Sequence, residues 1–472
     1  MSGAPAQRLS LSRIIVFSLS NMPIAAMGVV PFVYLPPYLS GHLGLSLGLI
    51  GAVWFAVRAV DLLIDPVLAY FMDRTVTRFG RYRVWLAAGV PLFMLATYKL
   101  FLAPAGIGGT YLFFWLFAFY FANSMLYLAQ WAWSATLATQ YHERSRVFGV
   151  SAAVGVVAVV ASLLIPVFAP LAGMSSAEGV RAMGWAIVAM TPIGVGLAVW
   201  RTPERINKSA VQRFAAKDYW EIVSKPEVVR LFLAQVALTL GPGWMSAMYL
   251  FYFHDVKGFS QQQATILLLV YILIGIVGAP LTARLSARIG KHRTLIVTTA
   301  LFSLALLSVP LVPYGSVWGS MPVMAWCGFM AAGFGLTINA MMADVGDEIR
   351  LAQGRERIGL LYSVLSIAGK LTAAFAIGLS LPLLEYFGYI AKEGAHNTPG
   401  AIGALQWLFI TGPILFVMLG GVCVWGWRLD AAKHADIRAQ LEARDAALLE
   451  ESALAGATPP PLVLAAEAEA QI

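Results

Sequence analysis

Arg58, Asp61 and Asp65 interrupt the apolar run "FAVRAVDLLIDPVLAYF" (55–71) at spacings of i, i+3 and i+7. On a helix that spacing places all three side chains on one face. Two carboxylates so arranged can hold a small cation, and an arginine beside them can keep the empty site together by charge pairing. A plainer alternative is a structural pair in which Arg58 neutralises Asp61, but one arginine leaves Asp65 without a counter-charge. A second buried cation, Lys370 in "LLYSVLSIAGKLTAAFAIG" (360–378), has nothing in its own segment to neutralise it. A lysine that pairs with the two acids while the cation is away solves both problems, although sequence alone does not bring the two segments together.

The elements that must position these charges follow from composition. Of 472 residues 59% are hydrophobic and 12% charged, about half the charged share usual in soluble domains. Twelve segments are apolar enough to cross a bilayer: 13–38, 46–72, 83–104, 109–139, 147–171, 181–200, 228–254, 261–282, 294–314, 318–343, 359–386 and 402–428. Lipid offers no partners to open backbone, so the predicted class is an all-α bundle. At the membrane centre the three charges of the second segment cost about 9 kcal/mol together, while its apolar residues return about 7. That segment therefore turns its charged face to the protein interior or to water. Pro66 removes one N–H from it and predicts a bend.

The net charge of +8 does not signal nucleic-acid binding, because Lys and Arg fall 26 in one set of alternate loops against three (Arg181, Lys257 and Lys392) in the other. This positive-inside bias predicts cytoplasmic N- and C-termini. The N-terminus shows no cleavable signal pattern. Cys327 and Cys423 lie far apart in apolar segments and predict small core residues, not a disulfide or a metal site.

The polar stretch 201–227 divides six segments from six. "RTVTRFGRYR" (74–83) after the second and "RLSARIGKHR" (284–293) after the eighth share the pattern R-x-x-x-R-[FI]-G-[RK]-x-R. A duplicated six-helix unit follows, the architecture of transporters whose halves rock about a midplane site. The expected organisation is one bundle over 1–200, a cytoplasmic linker over 201–227, a second bundle over 228–428, and a cytoplasmic tail over 429–472, helical at first and then disordered.

The run "RAVDLLIDPVLAYFMDRTVTRFGRYRVW" resembles the helix-two signature of the glycoside–pentoside–hexuronide:cation symporters of the major facilitator superfamily. "YLSGHLGLSLGLIGAVWF", "YHERSRVFG", "MMADVGDEIR" and "YSVLSIAGK" fit the same family in order, so the resemblance spans nearly the whole chain. It implies the major facilitator fold, with twelve transmembrane helices in two pseudo-symmetric bundles, and cation-coupled solute transport by alternating access. Carried over by position, Asp61, Asp65 and Ser124 are implied cation ligands, with Arg58 and Lys370 as charge balance. Trp131 matches the aromatic of the sugar pocket. Arg144 matches the cytoplasmic arginine, and Asp344 and Asp347 the acidic pair of the inner gate.

The chain also departs from that pattern. Where the melibiose permease branch holds its sugar with two carboxylates and an arginine, this sequence has Ala25, Tyr127 and Ala152. A pocket without those groups favours less polar ligands. Tyr127 also removes an acid near the cation, leaving Na⁺ against H⁺ open. Glu348 and Arg350 stand where the family has a tyrosine and a glutamate. Ser124, Tyr127 and Trp131 share one helix face, either as a substrate wall or as ordinary packing. Asn21 and Asn339 are further substrate candidates, with helix–helix hydrogen bonding as their alternative.

No protease, hydrolase or phosphate-loop motif survives inspection. "YHERS" lacks a second histidine at zinc spacing, and "AGKLT" lacks the preceding glycine. The expected function is symport of a sugar-like solute, with a lysolipid or other amphiphile carrier as the alternative and an intramembrane enzyme as the less favoured class. Expected partners are the solute, the coupling cation and the bilayer, with no bound cofactor, no metal beyond a Na⁺ at Asp61 and Asp65, and no nucleic acid. The protein is expected as a monomer in the plasma membrane, the inner membrane of a bacterium.

Overall fold

The structure, a computed structural model, describes residues 10–75, 77–137, 141–204, 216–354 and 357–454. Among these residues the structure is helical with no strand. Eleven helices are long and apolar enough to cross a membrane. In the first half these are α4 (Leu47–Arg74), α5 (Tyr82–Phe101), α6 (Gly109–Leu137), α7 (Tyr141–Phe168) and α8 (Ser176–Arg201). In the second they are α10 (Pro226–Phe251), α11 (Gln261–Ile289), α12 (Lys291–Ser308), α13 (Val317–Gln353), α14 (Ile358–Tyr386) and α15 (Pro399–Cys423).

The first predicted segment is helical but broken. It forms three short helices, α1 (Leu11–Ser18), α2 (Asn21–Ala26) and α3 (Val30–Pro37). Pro23, Pro31, Pro36 and Pro37 lie in or at the ends of these pieces, and each removes a backbone donor from the ladder. By contrast α4 runs through Pro66 without interruption. A short helix, α9 (Ala216–Val223), precedes the second half, and α16 (Ala431–Leu454) follows it.

The duplication is visible in local geometry. Each half's first membrane segment ends in a π-helical turn, Tyr38–His42 or Tyr252–Val256. A glycine with positive φ follows (Gly44, 75°; Gly258, 70°), and then a serine whose hydroxyl caps the next helix. The spacing Y-x5-G-x-S recurs at 38–46 and 252–260, a second internal repeat beside the arginine-rich one. The arginine-rich loops also match, since Gly80 and Gly290 both take positive φ, where a side chain would be strained.

The halves meet chiefly where α4 packs on α14 and α7 on α11, with α3 against α10. At the arginine-poor end this seam is tight. A Cβ at Gly51 would lie 2.5 Å from the Pro382 ring, and one at Gly378 only 2.7 Å from the Phe55 Cβ, so glycine is what lets α4 and α14 touch. Tyr34 and Thr265 share a hydrogen bond of 2.8 Å across the halves, Gln262 donates to the Val167 carbonyl at 2.9 Å, and Glu385 accepts from the Gly48 N–H at the start of α4. The Glu393 N–H donates to the Gly41 carbonyl at 3.2 Å, and His42 lies 3.9 Å from the Glu393 carboxylate.

Ser124, Tyr127 and Trp131 succeed one another along one face of α6, and their exposure rises from 5% to 36% and 49%. The hydrogen bonds described between the halves thus lie at the midplane and at the arginine-poor end.

Candidate functional site

The midplane charges form one cluster. Asp61 is buried at 2% exposure on α4, where an unpaired carboxylate would be costly. It is served from three sides. Arg58 lies one turn earlier at 3.1 Å, the Ser124 hydroxyl donates from α6 at 3.1 Å, and the Lys370 ammonium donates from α14 at 3.0 Å. The same ammonium lies 2.5 Å from Asp65 Oδ2. Two carboxylates and two fixed cations therefore neutralise each other between the two halves. The lysine that the sequence left without a partner is the link across them.

Aromatic packing holds Arg58 in place. Its guanidinium carbon lies 3.9 Å from the centre of the Tyr120 ring and 5.9 Å from that of Phe32, and Trp54 meets Tyr120 edge-on. Arginine over an aromatic face gains about 2 kcal/mol when desolvated. Arg58 is thereby fixed toward Asp61 and is not free to swing to Asp65. Asp65 keeps one buried oxygen, Oδ1, with no protein partner. Tyr120 was not singled out from sequence. The i−62 separation from Arg58 carries no local signal, and an aromatic in a run as rich as "YLFFWLFAFYF" is unremarkable.

The residues expected to wall the substrate space are placed as follows. Tyr127 and Trp131 stack obliquely at 5.6 Å between ring centres, and Phe148 of α7 extends the wall at 5.0 Å from Trp131. Asn21 donates to the Ser151 carbonyl at 2.8 Å and so joins α2 to α7. Asn339 is exposed on α13, and its carbonyl accepts from the Tyr362 hydroxyl at 3.3 Å. Neither asparagine is brought to the carboxylate cluster by a hydrogen bond among the described contacts.

The candidate gate residues lie at the arginine-rich end. Asp344 accepts from Lys291 at 2.7 Å on both oxygens, and Asp347 lies 3.0 Å from the His434 ring nitrogen. Arg144 belongs to α7, and its side chain lies outside the described residues. Lys291 and His434 were not anticipated as partners. Lys291 stands in the arginine-rich repeat read only as a loop signature, and His434 belongs to a tail to which sequence assigned no role. Among the described residues no group of three or more His, Cys, Asp or Glu side chains is placed to hold a metal ion.

Comparisons with known proteins agree with this architecture. Residues 16–431 match the family described as MFS/sugar transport protein. The uncharacterized symporter YnaJ of Bacillus subtilis is 24% identical over 438 residues, covering 88% of this chain and 91% of the relative. The glucuronide carrier protein homolog of Escherichia coli is 24% identical over 457 residues, covering 93% and 97%. Among solved structures, the nucleoside transporter NupG superposes with a TM-score of 0.66 at 14% identity, covering 89% of this chain and all of that one. At that identity the match speaks for the fold. The family match, over a helical bundle whose two halves repeat each other, leads to one conclusion: the chain belongs to the MFS/sugar transport protein family of membrane transporters, and is not an enzyme.

Proposed function

We propose that the protein is a symporter that couples uptake of a sugar-like solute to Na⁺ or H⁺ through Asp61, Asp65 and Ser124. The observation that carries this reading is the Lys370 bridge from α14 to both carboxylates of α4. A cation binding at Asp61 and Asp65 replaces the ammonium, and the partnerless Oδ1 of Asp65 offers it a further acceptor. Once replaced, Lys370 no longer ties the halves together at the midplane. Binding of the driving ion then becomes a condition for rocking, which is what coupling requires. One cation moving down about 100 mV and a tenfold gradient supplies roughly 2.3 plus 1.4 kcal/mol, enough for about 500-fold accumulation.

The substrate space supports a glycoside with an apolar or aromatic face. Tyr127, Trp131 and Phe148 give stacking surfaces, while Ala25 and Ala152 supply no hydrogen-bonding group. The relative named as a glucuronide carrier homolog is consistent with a glycoside cargo. The same wall also suits an amphiphile, so a lysolipid belongs in the assay beside sugars. We place the arginine-rich end, and with it both termini, in the cytoplasm of a cell with the protein in its plasma membrane, on the strength of the loop charge asymmetry. The test is uptake into vesicles of a glucuronide, a pentoside, an α-galactoside, an aryl glycoside and a lysolipid, with and without Na⁺ and a pH gradient. Accumulation of a glycoside that collapses when the cation gradient is removed supports the reading. Accumulation of none of them, or uptake indifferent to both gradients, contradicts it.

A further inference from the structure

Helix α13 is 37 residues long, about 55 Å at 1.5 Å per residue, against a hydrocarbon core of about 30 Å. Its last turns extend past the arginine-rich end, and α16 packs on them. Ile437 and Leu441 of α16 are buried. Around this apolar contact the charges pair in register. Lys433 lies 2.6 Å from Glu348, and His434 lies 3.0 Å from Asp347 and 3.4 Å from Asp344. Arg438 lies 4.0 Å from Asp347, and Arg350 pairs with Asp445 at 2.7 Å. Arg444 donates to the carbonyls of Arg350 and Leu351. Glu348 and Arg350, two positions at which this chain departs from the family pattern, are both partners of the tail.

Asp344, Asp347 and Glu348 are three acids of the second half at its arginine-rich end. The first half carries Arg74 and Arg78 there, both exposed. Closing this end brings the two halves' ends toward each other, and attraction between those acids and arginines favours closure. Helix α16 supplies Lys433 to Glu348 and Arg438 to Asp347 from within the second half, and Lys291 of α12 holds Asp344.

We propose that α16 is a brake on closure of the arginine-rich end. By neutralising Asp347 and Glu348 in place, as Lys291 of α12 already does for Asp344, it weakens their attraction for the first half and holds the transporter open on that side. The tail thus sets the balance between the two conformations without contacting the solute or the coupling ion. The proposal rests on the alternating-access reading, and its test separates the two.

Phe79 and Ile289 occupy equivalent places in the two arginine-rich repeats, and both are exposed. With Cys327 and Cys423 replaced by serine, spin labels at Phe79→Cys and Ile289→Cys report the opening of this end in the full chain, independently of transport. The triple variant Lys433→Ala, His434→Ala, Arg438→Ala is expected to raise the short-distance, closed population at least threefold. Asp445→Asn, which frees Arg350 without touching the three acids, should move it the same way by less. The pair His434→Lys, Arg438→Lys should keep the parental distribution. A Gly51→Val change, which wedges the opposite seam, serves as the control and should raise the closed population whatever the tail does. If the control shifts and the triple variant does not, or shifts toward the open form, α16 is not a brake. If the control itself leaves the distances unchanged, the rocking of the halves fails and the brake with it.

Discussion

Lys370 Nζ lies 2.5 Å from Asp65 Oδ2 on a helix of the opposite half, and 3.0 Å from Asp61 Oδ2. One ammonium thus serves two carboxylates, and the pairing spans the interface between the two halves. A contact of this kind is a poor source of stability, since desolvation offsets much of the Coulomb gain. On the proposed reading, its value lies in being exchangeable for a mobile cation.

Removing the ammonium leaves buried negative charge with only Arg58 to balance it. Lys370→Ala is expected to destabilise the protein by about 3–5 kcal/mol and to abolish accumulation. Adding Asp65→Asn removes the surplus carboxylate and should recover part of the folded yield. Thermal unfolding of the two variants in detergent checks this. A double variant as unstable as the sum of the two single lesions contradicts the pairing.

Trp131 is half-exposed beside Tyr127 and Phe148. Losing a stacking surface costs about 1 kcal/mol beyond burial, so Trp131→Ala should weaken binding of a transported aryl glycoside by about fivefold. Melibiose should bind the parent protein poorly, and Tyr127→Asp alone should not rescue its transport, since Ala25 and Ala152 still lack polar groups. Calorimetric binding of melibiose to the parent at micromolar affinity contradicts this assignment of the pocket.

The α4–α14 seam predicts a directional effect. A valine at Gly51 adds atoms where even a Cβ would sit 2.5 Å from Pro382, and overpacking of this sort costs about 1–3 kcal/mol. The cost falls on the conformation sealed at the arginine-poor end, so Gly51→Val should favour the opposite one. Thiol labelling of a cysteine at Thr265, which contacts Tyr34 across the seam, should then accelerate several-fold. An unchanged labelling rate means the seam does not separate during the cycle.

Much of the site was legible because its signals are local or energetic. Three charges on one face of an apolar segment had to turn inward, and Lys370 needed an acid from elsewhere. The partner could be named from charge alone, but the contact needed the fold. The unbroken helices are likewise marked by hydropathy, which predicts the first segment as one helix although its prolines divide it into three. Tyr120 beside Arg58, and α16 beside Asp344 and Asp347, were not legible. Both depend on packing between residues about 60 to 90 positions apart, and neither leaves a periodicity in the sequence. The Y-x5-G-x-S repeat was there to be read. It was missed because its conserved feature is a backbone turn with a glycine at positive φ, and few side chains repeat around it.

The coupling site is tested most directly by accumulation in Asp61→Asn and Asp65→Asn. The measurement is uptake into energised right-side-out vesicles of the glycoside that the parent protein concentrates, followed by counterflow exchange of the same glycoside with no gradient. Each single variant is expected to lose concentrative uptake while exchange of solute across the membrane persists. Accumulation by both variants to the parental level contradicts the assignment and places the driving cation somewhere other than beside Asp61 and Asp65.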